Sequence, residues 1–190
     1  MGVDPLGLEW VKIGDGIKIF RQECDKNGKV LEAGFTDAQI ATIKAIIVNQ
    51  FSKLEGVGDF IVEMLKKQNS KDPYTGEKFF YKINYTTGNP SALIHDKGVA
   101  WINPKSTLEV LVEDKSGKRK FEPFDIQRQL AHELGHAYYG VGDDYDPTKP
   151  LDSKNGMTMV NMSENPLMQA VGRGRRINYG GYRNGKLVNE

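Results

Sequence analysis

Apolar positions along this chain change their spacing from segment to segment, and the spacing predicts the elements. The opening MGVDPLGLEW is turn-like because of Pro5 and Gly7. Ile17, Ile19 and Phe20 precede an Asn27-Gly28 pair, and Val30, Leu31 and Phe35 follow it, which predicts a β-hairpin over residues 17–35. Thr36 with Gln39 three positions on forms a capping box. Behind it Ile40, Ile43, Ile46, Ile47, Phe51 and Leu54 recur at helical spacing, predicting an amphipathic helix at about 36–54. GVGDFIVEMLKKQ reads as a second, shorter helix, and the polar stretch from Gln68 to Glu77 as a loop. KFFYKINY and GVAWINP have the β-branched and aromatic content of strands, the latter stopped by Pro104. LEVLVEDKSGKRKFEP predicts a hairpin around Lys115-Ser116-Gly117. FDIQRQLAHELGHAYYG predicts a helix with Phe124, Ile126, Leu130, Leu134 and Ala137 apolar, followed by a Gly/Asp/Pro-rich loop to about Gly156. MTMVNMSENPLMQAVG is helical in part, with Pro166 either in its first turn or breaking it. From Gly172 onward the chain is Gly- and Arg-rich and extended. Strands and helices mix without βαβ regularity, so the class is α+β.

Composition narrows the options. A chain of 190 residues suits one domain and buries a core without disulfides. Net charge is +1, so no overall field points to nucleic acid or membrane, and neither is expected as a partner. The single cysteine, Cys24, excludes an intramolecular disulfide and a cysteine-based zinc cluster. There is no apolar run near 18 residues and no basic-then-apolar leader, so another carrier is expected if the protein leaves its cell.

The chemistry concentrates in QLAHELGHAYYG. His132-Glu133-Leu134-Gly135-His136 is H-E-x-x-H, and two of the chain's three histidines lie in it. Residues four apart share a helix face, so both imidazoles can hold one Zn²⁺ at about 2.0–2.1 Å. Glu133 flanks that face and can take a proton from water without ligating the ion. The competing reading is a pair of ordinary histidines. A third ligand is wanted. The metzincin pattern fails, because positions 139 and 142 are Tyr139 and Gly142. Asp143, Asp144 and Asp146 are candidates as zinc or calcium ligands, or are solvated loop acids. Glu164, 28 residues after His136 at the start of a helix, is the preferred ligand; otherwise it pairs with the helix dipole. Arg176 and Tyr179, three apart, could stabilise an oxyanion. Otherwise they belong to a basic tail, solvated or on RNA phosphates. His95 reads as a loop histidine. Trp101, on an edge strand, is a candidate for substrate contact.

HELGHA followed by SENPLMQAVGRGRRINYGG resembles the effector zinc metallopeptidases of the NleD type. In that family H-E-L-x-H-A is followed by E-N-x-x-R and G-x-x-x-R-x-x-Y. Glu164-Asn165 matches the E-N pair, and Gly172, Arg176 and Tyr179 match the last element. Met168 stands where arginine is expected. The likeness spans residues 98–182. The R-x-x-Y pair is also similar to the transition-state pair of clostridial neurotoxin proteases, which implies an oxyanion role for Arg176 and Tyr179. The implied fold is zincin-like: a small mixed or antiparallel sheet packed on the H-E-x-x-H helix, with a second helix near the C-terminus. Asp4-Pro5-Leu6-Gly7-Leu8 resembles the junction that ends the core of Rhs-type polymorphic toxins. That implies a junction over residues 1–8 and a toxin domain over 9–190, carried out of its cell by an Rhs core and a secretion machine. It also implies entry into a target-cell cytosol, cleavage of a protein there, and a cognate immunity protein. Two readings compete with the endopeptidase: a zincin-fold binding module without turnover, and a nucleic-acid toxin using the Arg-rich segment.

Overall fold

The computed structural model describes residues 10–66, 68–72, 76–88, 98–146, 148–152 and 154–188. The D-P-L-G-L stretch, with the domain split placed there, and His95 lie outside them. Strands β1 (Trp10–Ile13), β2 (Ile17–Phe20), β5 (Tyr81–Tyr85) and β6 (Val99–Ile102) form a mixed sheet in the order β1-β2-β5-β6. β1 and β2 pair antiparallel, while β2–β5 and β5–β6 are parallel. Period-two alternation puts Ile17, Ile19, Ile83, Ala100 and Ile102 on one buried face.

The predicted hairpin over 17–35 is corrected. Ile17, Ile19 and Phe20 pair with β1 instead, because their apolar face belongs to the central sheet. The Asn27-Gly28 turn joins only β3 (Glu23–Cys24) and β4 (Val30–Glu32), a short exposed ribbon. The capping box is present: Thr36 accepts from Gln39 N and donates its own N–H to Gln39 Oε1. It opens α1 (Asp37–Lys44), which continues through a π-helical stretch, Ala45–Gln50, and a 3₁₀ turn, Phe51–Lys53. α2 (Asp59–Leu65) follows. β7 (Glu109–Glu113) and β8 (Arg119–Pro123) form the predicted hairpin. They share a second sheet with β10 (Gly181–Arg183) and β11 (Lys186–Val188), while β9 (Arg175–Arg176) pairs with β7.

Between the sheets runs α3 (Ile126–Tyr139), the helix that carries H-E-x-x-H. Asp125 caps it by accepting from Arg128 N at 3.0 Å. Its buried Leu130, Ala131, Leu134 and Ala137 join the main core. β6, an end strand of its sheet, is fastened along α3. Gly98 N donates to Ala137 O, and Asn103 N and O pair with the Gln129 side chain, at 2.7–2.9 Å. Trp101 is half-buried on the sheet face opposite the core. α4 (Asn165–Ala170) is entered through a π turn, Val160–Glu164. Pro166 sits in the first turn of α4, where its missing N–H and bulky ring are tolerated, and the widened turn ahead of it keeps the helix continuous. The chain is thus mixed α+β with two helices, α3 and α4, bordering the site. Among the described residues no helix is long and apolar enough to cross a membrane.

Candidate metal centre

His132 and His136 lie one turn apart on α3, both buried. Their Nε2 atoms are 3.1 Å apart. Gly140 ends the helix with φ 66°, a left-handed cap that turns the chain back over the last turn. The return brings Val141 O to 2.6 Å from His136 Nδ1, and Asp143 Oδ1 to 3.3 Å from His136 Nε2 and 3.6 Å from His132 Nε2. The three facing atoms therefore form a triangle with edges of 3.1, 3.3 and 3.6 Å. A tetrahedral ion with bonds of 2.0–2.1 Å has ligand edges of about 3.3 Å. The His132, His136 and Asp143 group could hold a metal ion.

The far nitrogens select the tautomers, firmly for His136 and by charge alone for His132. His136 Nδ1 faces a carbonyl, an acceptor only, so it must carry hydrogen. His132 Nδ1 lies 3.3 Å from Glu164 Oε2, an ion-pair contact without hydrogen-bond alignment that still favours a hydrogen on that nitrogen. Both Nε2 lone pairs then point into the triangle together with a carboxylate oxygen. Three lone-pair donors converging in a buried place require a cation between them. A bound ion fills that need, and so does a proton. Burial alone would lower the pKa of His132, but Asp143 and Glu164 outweigh it and raise it to about 10. Burial alone would raise Asp143, but His132 and His136 hold it well below the usual carboxylate range. A metal ion bound there would displace that proton.

Glu164, expected as a ligand, is placed behind His132, on the Nδ1 side, and Asp143 completes the triangle instead. The physical reason is competition. Glu164 is fully buried and bonded by Arg128 through Oε1 at 2.8 Å and by Arg176 through Oε2 at 3.3 Å. Burial would raise its pKa, but Arg176, His132 and Arg128 pull it down to about 2. Carboxylates behind metal-binding imidazoles orient the ring and raise its basicity. Asp144 and Asp146 are engaged elsewhere: Asp144 accepts from Thr158, and Asp146 accepts from Thr148 while its N donates to Asn155.

Arg176 is also occupied. Its Nε donates to Asn178 O at 2.9 Å, its Nη2 reaches Tyr179 O and Gly180 O, and its Nη1 meets Glu164. Asn165 holds the backbone of the same arginine, accepting from its N at 2.6 Å and donating to its O at 2.9 Å. The Glu164-Asn165 pair thus grips Arg176 by side chain and main chain. Tyr179 donates its hydroxyl to Asp143 Oδ2. Arg176 and Tyr179, expected to stabilise an oxyanion, are thus placed on Glu164 and on Asp143 respectively. Met168, at the position where arginine was expected, packs in the main core.

No family model, curated protein or solved structure matches this chain.

Glu133 is fully buried beside the triangle. Burial raises its pKa to about 7, against the lowering effect of His132 and His136. Arg128, absent from the sequence-based candidates, is the fully buried cation that bonds Glu164, Glu122 and Gly174 O. One signal pointed to it: Arg128, His132 and His136 are spaced by four along one helix face. Gly135 has a packing reason. A Cβ there would lie 2.5 Å from Met159 Sδ and Ser163 Cβ, so only glycine lets the π turn come this close to α3.

Proposed function

We propose that this chain is a zinc-dependent endopeptidase of the toxin or effector kind, with a zincin-like site, cleaving a protein of the cell it enters. One observation carries the reading: two imidazole nitrogens and a carboxylate oxygen converge at tetrahedral spacing, with the buried Glu133 next to His132 on the same helix. His132, His136 and Asp143 would hold the ion. Bound there, zinc supplies a Lewis acid for a peptide carbonyl and makes water acidic near neutral pH. Glu133 would accept a proton from the attacking water and deliver it to the leaving amine, and burial, which raises its carboxyl, would favour the second transfer. Glu164 and Val141 O keep the histidine tautomers that present Nε2. Arg128 and Arg176 keep Glu164 ionised in a buried position. Two histidines and one carboxylate also suit iron(II). Glu133, directly after the first histidine, favours hydrolysis and zinc. The H-E-x-x-H, E-N and G-x-x-x-R-x-x-Y elements support an effector metallopeptidase, and the D-P-L-G-L stretch supports an Rhs-type carrier with a cognate immunity protein.

The test pairs wild type with Glu133→Gln. Each is expressed in bacterial and eukaryotic cytosol, new protein N-termini are catalogued by mass spectrometry, and the metal content of the purified protein is measured. One zinc per chain in both, with new N-termini only in wild type, is the expected result. Equal toxicity without new termini would leave a binding site and no protease.

A further inference from the structure

Asp143 is the one triangle member that does not sit on a helix. It lies on an irregular segment, three residues past the cap of α3. A carboxylate on such a segment can rotate, and it presents Oδ1 to the histidines only if something holds Oδ2. The Tyr179 hydroxyl bonds Oδ2. Tyr179 comes from a remote stretch of chain, and its ring is fixed on several sides. Tyr145 stacks on it at 5.1 Å and 26°, and the Arg176 guanidinium lies 5.0 Å from the ring centre. Gly156 lies against its edge so closely that a Cβ there would be 2.6 Å from Tyr179 Cγ.

We infer that Tyr179 is a positioning residue for the third metal ligand, its hydroxyl fixing Asp143 so that Oδ1 faces His132 and His136. The inference rests on the metal-centre reading above. It gives the tyrosine a task distinct from stabilising an oxyanion: it sets the affinity and geometry of the ion. Hydrogen-bond partners one step removed from a metal are worth about 10–100-fold in affinity. Gly156 acts in the same way at one further remove, since a side chain there displaces the ring.

The experiment measures zinc affinity by competition with a chromophoric chelator, and the visible absorption of the cobalt(II)-loaded protein. The chains compared are wild type, Tyr179→Phe, Gly156→Ala, Tyr182→Phe and His136→Ala. Tyr179→Phe is expected to bind one zinc about 10–100-fold more weakly, with a shifted cobalt spectrum. A general loss of stability would not shift that spectrum. Gly156→Ala is expected to reproduce both changes by a different route. Tyr182→Phe, which removes a neighbouring hydroxyl that accepts from Asn178, keeps wild-type values. Wild-type affinity and cobalt spectrum in Tyr179→Phe, with zinc lost in His136→Ala, would overturn the inference and leave the metal centre standing. Equal weakening in Tyr182→Phe would also overturn it. Zinc retained in His136→Ala would remove the metal centre and the inference with it.

Discussion

Replacing Glu164 by glutamine separates a carboxylate that binds metal from one that stands behind a ligand. The side chain is fully buried between Arg128 at 2.8 Å, Arg176 at 3.3 Å and His132 Nδ1 at 3.3 Å. Glutamine keeps the shape and one acceptor oxygen but removes the charge, leaving two buried guanidiniums less compensated. Removing one partner of a buried pair costs about 3–5 kcal/mol. Titration gives a similar figure. A carboxyl moved from 4.5 to about 2 contributes about 3 kcal/mol. At about 2–4 °C per kcal/mol for a chain of this size, the metal-free variant melts about 6–12 °C lower. The pKa is depressed, so the contribution is complete above pH 4.5 and disappears as pH falls through about 2. The gap in melting temperature is therefore flat above about pH 5 and narrows in acid. Zinc stoichiometry stays at one, with affinity about 10–100-fold weaker because His132 loses its orienting partner. Calorimetry from pH 2 to 8 and chelator competition check both parts. Complete loss of zinc, as expected for His136→Ala, would make Glu164 a ligand. A melting gap that does not change with pH would refute the buried-charge argument.

Asp143→Ala is expected to abolish stoichiometric zinc, while Asp144→Ala, which removes only the loop bonds to Thr158, keeps it; metal analysis of the dialysed proteins decides. Glu133→Gln is expected to retain zinc but lose cleavage. Because burial raises this carboxyl from 4.5 to about 7, the metal-free wild type loses stability as pH rises through that window, and the variant lacks that slope in denaturant titrations. Gly135→Ala puts a Cβ 2.5 Å from Met159 Sδ and Ser163 Cβ. Overpacking of this kind costs about 1–3 kcal/mol, which urea unfolding would register.

Locally encoded features were legible in the sequence. The Thr36–Gln39 box, the β7–β8 hairpin and the H-E-x-x-H helix each depend on residues within a turn or two of each other. The parallel β2–β5 pairing joins strands about sixty residues apart, and alternation in either strand says nothing about its neighbour. The position of Glu164 was illegible for a related reason. Spacing placed Glu164 near His132 but could not say which imidazole nitrogen it faces, nor that Arg128 and Arg176 compete for it. Asp143 was one of three loop acids. The Gly140 cap that selects it was visible in YYG, but its effect depends on the helix ending there.

The buried charge cluster around Arg128 links the centre to the order in which the chain acquires structure. The three triangle residues lie within a dozen positions, yet the groups that orient them come from Glu122, Glu164, Arg176 and Tyr179. Those from Glu164, Arg176 and Tyr179 must meet the entropy of closing long loops and form late in folding. An extended chain therefore carries its histidines without a preorganised centre, and tight metal capture reports a completed fold. Metal occupancy would then be a clock for folding: a chain halted before Tyr179 has all three triangle residues and nothing to hold them in place.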